Sequence, residues 1–237
     1  MGIIDIDLDI DLLEGIYGAG APSVSRASDL QRELSKKVIN RREFGRLKTV
    51  AGADLSLMKS ENKLICGIIL FSYPDLAEIE RIYSVCNEKF PYIPGLLAFR
   101  EGPAIIETFK KLEQKPDLLI IDGQGIAHPR GFGIACHVGV LLDIPTMGIA
   151  KKKLYGDYDE PGEKSGSWTP LRSKGGEVIG SVLRTRDGKK PVFISLGHKI
   201  DTDSARGIAL ECTTGYRIPE PTRRADIYVA ELKRGRV

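Results

Sequence analysis

A carboxylate at the end of an apolar run is the residue best placed to do chemistry in this chain. The run 118–121 reads Leu-Leu-Ile-Ile, Asp122 follows it, and a glycine-rich turn comes next. Such a run predicts a buried strand, so Asp122 would lie at the mouth of a sheet, where an acid can hold a metal ion or orient a water molecule. His128 and Arg130 follow at once and add a titratable ring and a cation that suits phosphate.

Two further acids could complete a site with Asp122. Asp54 lies in a predicted first strand, and Glu101 falls just before a predicted helix whose first turn contains Pro103. If the first and fourth strands are adjacent, Asp54 and Asp122 come together and Glu101 reaches over from the helix. Each acid alone also has a structural explanation, in a turn or at a helix dipole. Together they form the oxygen ligands that suit Mg²⁺ or Mn²⁺, and phosphodiester hydrolysis is the chemistry such a site supports.

The elements that must position these acids can be predicted from hydrophobic periodicity and turn residues. Strand, helix and strand in succession around Asp122 predict parallel pairing through a right-handed crossover. The expected fold class is therefore α/β, with a mixed sheet flanked by helices in a single domain. The predicted elements are a helix 25–38 capped by Ser28, three antiparallel strands (49–57, 63–72 and 79–86), the helix at Pro103, a strand 118–122, a helix 134–142, a strand 146–150, a hairpin of 178–184 with 192–196 around Asp187 and Gly188, and two helices after Thr202 and Pro221.

The composition bounds the class of protein. A chain of 237 residues fits one domain, and 42% hydrophobic with 28% charged residues is typical of a soluble globular protein. The net charge of +3 permits nucleic acid as a partner without demanding it. Four cysteines without CxxC spacing argue against a zinc site and a disulfide framework. No signal peptide and no apolar run of membrane-spanning length is apparent, so we expect a cytoplasmic protein without a membrane partner.

The first residues of the chain form a separate feature. Ile or Leu alternates there with Asp at positions 5, 7, 9 and 11. Strict alternation predicts a strand with one acidic face, and an edge strand or an arm is favoured over a metal site because four unsupported carboxylates repel one another. We therefore expect an acidic N-terminal extension over 1–22, followed by a catalytic domain over 23–237.

Five long segments of the chain closely resemble the endonuclease V family: GADLS, PYIPGLLAFREGP, LLIIDGQGIAHPRGFGIACHVGV, PTMGIAKKKLYG and EPTRRAD. The resemblance covers nearly the whole chain after the acidic segment. It implies a ribonuclease H-like fold and a Mg²⁺-dependent endonuclease, in which Mn²⁺ can substitute, acting as a monomer on DNA that contains deoxyinosine. It implies cleavage of the second phosphodiester bond 3′ to the lesion, which leaves 3′-hydroxyl and 5′-phosphate ends and starts the repair of deaminated adenine.

The resemblance also implies roles for individual residues. Asp54, Glu101 and Asp122 match the metal-binding acids of the family, His198 is similar to its active-site histidine, and Lys151 matches a lysine that offsets the phosphate charge. Tyr92 matches a wedge residue that fills the gap when a base leaves the stack. Pro91 and Pro94 stiffen the loop, and Ile93 between them is expected to contact the substrate with Tyr92. The residues expected to enclose the displaced base are Leu97, Gly123, Gly125, Gly133, Ile134 and Gly148, with His128 nearby.

Three alternatives remain open at the level of the sequence. An endoribonuclease for inosine-containing RNA would differ only in its recognition of the 2′-hydroxyl group. A structure-specific nuclease such as a junction resolvase is disfavoured by the PYIP loop and the glycine-rich pocket. A binding module that senses the lesion without cutting would be expected to lack one of the metal acids, yet Asp54, Glu101 and Asp122 are all present.

Overall fold

The computed structural model describes residues 15–18 and 20–235, and the acidic alternating segment lies outside the described residues. The described part contains one eight-stranded sheet with helices on both faces. Its elements are α1 (Val24–Ser35), β1 (Thr49–Met58), β2 (Lys63–Ser72), β3 (Glu78–Asn87), α2 (Leu97–Lys110), β4 (Leu118–Asp122), α3 (Ile134–Leu142), β5 (Thr146–Ala150), β6 (Trp168–Arg172), β7 (Val178–Leu183), β8 (Val192–His198), α4 (Thr202–Glu211) and α5 (Glu220–Lys233).

The sheet is mixed, as the sequence predicts, and its strand order is β3-β2-β1-β4-β5-β8-β7-β6. Strands β1, β2 and β3 form the predicted antiparallel meander. Strand β4 pairs in parallel with β1 on one side and with β5 on the other, so the predicted crossover through α3 is confirmed. Strand β8 then runs antiparallel to β5, and β7 and β6 complete the sheet.

Two predicted helix starts are wrong. Helix α1 begins at Val24, and its N-cap is Ser23, which accepts a hydrogen bond from the backbone of Arg26; Ser28 lies inside the helix. Helix α2 begins at Leu97, so Pro103 is in the helix interior. Glu101 consequently lies within the second turn of α2, because the preceding loop turns at Gly95, whose φ of +80° suits glycine, and the chain is already helical before the Gly-Pro pair.

The strands beyond β5 also differ from the prediction in detail. Strand β6 was not predicted, and its proline at position 170 is tolerated because β6 is an edge strand. Strand β7 ends one residue earlier than predicted, at Leu183, and β8 continues past residue 196 to His198. The predicted pairing of these two strands is confirmed, with Leu183 opposite Val192.

Helices cover the two faces of the sheet and bury two large apolar clusters. Helices α1, α2 and α3 pack on one face, and α4 with α5 pack on the other. Helix α5 lies unusually close to β1 and β2, since a Cβ atom added at Gly52 would come 2.1 Å from the Pro221 carbonyl oxygen. The glycine therefore fixes how closely α5 approaches the sheet.

The packed domain includes residues before the predicted boundary at 23. Ile16 is buried in the cluster under α1 to α3. The Tyr17 hydroxyl lies 2.6 Å from His137 Nε2, and His137 packs among the rings of Tyr17, Phe99 and Phe132. None of the helices in the described ranges is long and apolar enough to span a lipid bilayer.

Candidate active site

Strands β1 and β4 bring two of the predicted acids side by side. Ala53 pairs with Ile121 in the parallel register, so Asp54 and Asp122 follow at the same end of the sheet. Asp54 shares its face with Gly67, which pairs with it on β2 and packs under α5. Burial, and secondly the charge of Asp122, raise the pKa of Asp54 to about 8, although its carboxylate accepts a 2.8 Å hydrogen bond from the Leu55 amide.

Helix α2 supplies the third predicted acid. Glu101 lies inside the helix, and it interacts electrostatically with Asp122. Burial, opposed by the charge of Arg100 and assisted by the charge of Asp122, raises the pKa of Glu101 to about 7. The structure therefore gathers Asp54, Glu101 and Asp122 at one end of the sheet, as the adjacency of the first and fourth strands predicts.

Lys151 lies at the same end, directly after β5. Its ammonium nitrogen is 2.8 Å from Asp122 Oδ2. Burial acts to lower the pKa of Lys151, but the hydrogen bond and charge of Asp122 raise it above its ordinary value. Lys151 is therefore a positive charge held among the acids.

The loop of residues 91–94, called the wedge loop after the role predicted for Tyr92, lies beside this acidic end. Tyr92 is 63% exposed, and the guanidinium carbon of Arg100 lies 5.6 Å from the centre of its ring. Arg100 is itself held by an ion pair of 2.7 Å with Glu88, and both side chains are largely buried. An exposed ring on a rigid base can enter a base stack without first being ordered.

A cavity of about 440 Å³ lies between the wedge loop and the residues that follow β5, where Lys151 contacts Asp122. Five of the predicted pocket residues line it, and so do Lys151 and the three residues after it. The lining residues are Gln31, Tyr92, Ile93, Pro94, Gly95, Leu97, Ala98, Gly123, Gln124, His128, Gly133, Ile134, Ala150, Lys151, Lys152, Lys153 and Leu154. The lining is mainly apolar, which suits a planar base held by a few polar groups.

Gly125 and Gly148 were predicted in the pocket, but the structure places them beneath it. A Cβ atom at Gly125 would lie 1.8 Å from the Leu196 carbonyl oxygen, and one at Gly148 would lie 2.5 Å from that of Gly123. These two glycines let the turn after β4 pack against β5 and β8. These two glycines therefore do not line the pocket but allow the backbone beneath it to pack closely.

Comparison with known proteins shows the family to which this fold belongs. The family model described as Endonuclease V matches residues 32–227. This chain belongs to the endonuclease V family. Endonuclease V from Dictyoglomus turgidum is 49% identical over 199 residues, which are 84% of this chain and 86% of that protein.

Solved endonuclease V structures share the fold. The crystal structure of endonuclease V from Streptomyces avermitilis has a TM-score of 0.87 at 38% identity, covering 92% of this chain and 97% of the other. Ciona intestinalis endonuclease V, in complex with a 24mer DNA containing an inosine followed by a ribo-adenosine, has a TM-score of 0.77 at 27% identity, covering 89% and 98%. The fold of this chain is therefore ribonuclease H-like, and the chain is an endonuclease.

One acid at this end of the sheet was missed in the sequence. Asp226 lies on α5, and its Oδ2 atom is 3.3 Å from the Lys151 ammonium nitrogen. Its charge also contributes to raising the pKa of Asp54. Asp226 ends the EPTRRAD segment, so the resemblance marks the region, but only the position of α5 across β1 shows that this carboxylate joins the other three.

His198 was predicted at the active site, and the structure places it elsewhere. His198 pairs with Thr146 at the start of β5, whereas Lys151 follows the end of that strand. Its Nδ1 atom accepts a 3.2 Å hydrogen bond from the Ile39 amide, and Nε2 lies 3.3 Å from Asp143 Oδ1. Because β8 runs antiparallel to β5, its last residue lies at the end of the sheet opposite the acids.

The four carboxylates are a suitable donor set for a hard divalent cation. They offer only oxygen atoms, and the burial that raises the pKa values of Asp54 and Glu101 shows that their charges are poorly solvated. Within the described ranges, however, no group of three or more acidic, histidine or cysteine side chains is arranged so that it could hold a metal ion. The Lys151 ammonium partly balances the acids instead, so a cation would compete with it for the same oxygens.

Proposed function

We propose that this chain is a Mg²⁺-dependent endonuclease that starts the repair of deaminated adenine. It hydrolyses the second phosphodiester bond 3′ to deoxyinosine and leaves 3′-hydroxyl and 5′-phosphate ends. The observation that carries the proposal is the position of the cavity, which is lined by the exposed aromatic residue Tyr92 and by Lys151, the lysine that contacts Asp122 and Asp226. We also propose that it acts as a monomer in the cytoplasm.

The acids and Lys151 would have different roles at the scissile phosphate. Asp54, Glu101, Asp122 and Asp226 would hold Mg²⁺, with Mn²⁺ as a substitute. When bound, the ion supplies an activated water and stabilises the leaving oxygen. Lys151, which already contacts Asp122 and Asp226, is placed to exchange those partners for a phosphate oxygen and so offset its charge.

The wedge loop and the cavity account for recognition of the damaged base. Tyr92 would fill the gap that opens when the base leaves the stack, and Pro91 and Pro94 hold the loop rigid for this purpose. Complexes of Ciona intestinalis endonuclease V with inosine-containing DNA support a nucleic-acid substrate of this kind.

Discrimination against adenine follows from the polar groups of the pocket. Hypoxanthine carries a carbonyl group at position 6 and a proton on N1, and adenine has the opposite pattern at both points. Backbone groups exposed at Gly123 and Gly133 can approach the base edge closely because these residues lack side chains. A mismatched buried polar pair costs about 1–3 kcal/mol, so two mismatches give a discrimination of at least about 30-fold.

The test uses end-labelled duplexes that differ only in one base. A DNA duplex with a single deoxyinosine, the same duplex with adenine, and a matched RNA strand with a single inosine are each incubated with Mg²⁺, Mn²⁺ or EDTA. We expect metal-dependent cutting of the deoxyinosine strand one nucleotide beyond the 3′ linkage of the lesion itself. The adenine duplex should remain intact.

Two other outcomes would replace the proposal. Cutting of the RNA strand alone would make the protein an inosine-specific endoribonuclease. If the protein bound the deoxyinosine duplex tightly but did not cut it with either Mg²⁺ or Mn²⁺, it would be a lesion-binding module.

A further inference from the structure

One backbone carbonyl at the end of the wedge loop receives three hydrogen-bond donors. The oxygen of Gly95 accepts from Gln31 Nε2 at 3.0 Å, from His128 Nε2 at 3.0 Å and from Arg130 Nη2 at 2.6 Å. A carbonyl oxygen has two lone pairs, so three donors saturate it. Gly95 is thus the point at which the wedge loop is tied to the rest of the domain.

His128 contributes as a neutral ring of known tautomer. Its Nδ1 atom accepts a 3.1 Å hydrogen bond from the Arg130 amide, so Nε2 carries the proton that is donated to Gly95. The cation in this cluster is therefore the guanidinium of Arg130.

Gln31 is the residue that joins the parts of the cluster. It comes from α1, and its side chain is fully buried. Besides Gly95, its amide nitrogen donates to the carbonyl of Phe132 at 2.9 Å, and its Oε1 atom accepts from Arg130 Nε at 2.5 Å. Only one orientation of the amide satisfies two carbonyls and a guanidinium at once, so the network itself orients the side chain.

The two carbonyls that Gln31 holds belong to different parts of the base-recognition site. Gly95 ends the loop that carries Tyr92, whereas Phe132 precedes Gly133, which lines the cavity. A single buried amide therefore sets the distance between the wedge and the pocket rim. Preorganisation of this kind lowers the ordering cost of binding.

We propose that Gln31 is a positioning residue that holds the Tyr92 wedge loop and the rim of the base pocket in register, so that displacement of the base and filling of the gap occur together. This inference rests on the proposed function. If Gln31 has this role, its replacement should weaken the binding of duplex DNA more than that of single strands, because only a duplex leaves a gap in the base stack to be filled. Because Gln31 acts through Tyr92, its loss should add little once Tyr92 is gone.

The test compares Gln31→Leu with a matched control on the same helix. Leu34→Ala removes a buried α1 side chain that is 2% exposed and belongs to the apolar cluster, so it destabilises α1 without removing the hydrogen bonds from Gln31 to Gly95 and Phe132. Steady-state kinetics on duplex and single-stranded deoxyinosine substrates are measured below the unfolding temperatures of both variants. The double variant Gln31→Leu with Tyr92→Ala completes a double-mutant cycle, which measures how far the effects of the two substitutions depend on each other.

We expect Gln31→Leu to raise KM for the duplex about tenfold through loss of the loop hydrogen bonds. It should raise KM for the single strand by less than about twofold and leave kcat nearly unchanged. Leu34→Ala should change both KM values equally. The double variant should bind the duplex about as weakly as Tyr92→Ala alone. Equal losses on the two substrates, or additive losses in the cycle, would overturn the proposal.

A second readout does not depend on cleavage. The Leu96 amide donates to the Ile93 carbonyl at 2.9 Å within the loop, so hydrogen exchange at Leu96 reports how firmly the loop is held. Exchange should be faster in Gln31→Leu than in Leu34→Ala, and equal rates would refute the positioning role. If the wild-type chain cleaves neither substrate, the proposed function fails while this measurement still decides whether Gln31 holds the loop.

Discussion

The ammonium nitrogen of Lys151 lies 2.8 Å from Asp122 Oδ2, where β4 and β5 end side by side. Asp226 on α5 contacts the same ammonium at 3.3 Å. One lysine therefore connects a carboxylate of the sheet with a carboxylate of the helix that crosses it. Its positive charge offsets part of the repulsion among the four acids of the site.

Replacing Asp122 separates cleavage from binding. Asp122→Asn removes one charged oxygen ligand and the main partner of Lys151 but keeps the shape of the side chain, so the sheet should remain intact. We expect cleavage of deoxyinosine DNA to fall at least about 100-fold, with the Kd for the duplex nearly unchanged. Asp143→Asn is the control, since Asp143 lies at the opposite end of the sheet beside His198. Wild-type turnover by Asp122→Asn would remove Asp122 from the metal site.

Replacing Asp54 should stabilise the metal-free protein. Its pKa is raised from 3.8 to about 8 by burial and by Asp122, so the folded state binds more protons than the unfolded state between these values. The contribution of Asp54 to stability is therefore present at low pH and is lost as pH rises through about 8. Asn carries no such dependence.

We accordingly expect Asp54→Asn in EDTA to exceed the wild type in unfolding free energy by at least about 1 kcal/mol at pH 8, and by much less at pH 5. Urea titrations at the two pH values measure the difference. Cleavage should be lost in the same variant, because stability and function oppose each other at this position. If the difference in unfolding free energy between Asp54→Asn and the wild type did not change with pH, the Asp54 charge would have to be well solvated in the folded state.

Tyr92→Ala should affect duplex DNA more than single strands. Only a duplex leaves a stack to be filled when the base is displaced, and a stacked aromatic side chain contributes about 1–3 kcal/mol. We expect the duplex Kd to rise about tenfold or more and the single-strand Kd to change little, measured by fluorescence anisotropy. Trp168→Ala, which removes an exposed aromatic on the edge strand β6, is the control. Equal losses on both substrates would exclude the wedge role.

His198→Ala should reduce stability and leave the chemistry intact. The change leaves the Ile39 amide without its acceptor, and an unsatisfied buried donor costs about 1–3 kcal/mol. His198→Asn, which can still present an acceptor atom, should lose less. Urea unfolding and cleavage at saturating substrate are measured for both variants. Loss of nearly all turnover in His198→Ala that is still folded would return this residue to the active site.

Local sequence was sufficient to predict the strands that carry Asp54 and Asp122 and the loop that carries Tyr92. An apolar run that ends in an acid and a glycine-rich turn places that acid at a strand end, whatever the rest of the chain does. Local sequence did not predict the position of Glu101 correctly, because its helix begins before the Gly-Pro pair that the prediction took as the start of the helix. Nor did local sequence single out Gln31, a buried amide whose partners lie on two distant loops.

The amino-acid sequence by itself determined the α/β class, the family and three of the four acids, because these depend on periodicity and on long matching segments. Only the tertiary structure decided which residues share one end of the sheet. Asp226 joins the acids because Gly52 lets α5 lie against β1, and His198 is excluded because β8 runs antiparallel to β5. Strand direction and helix approach are set by packing between distant segments, and neither leaves a signal at the residue it places.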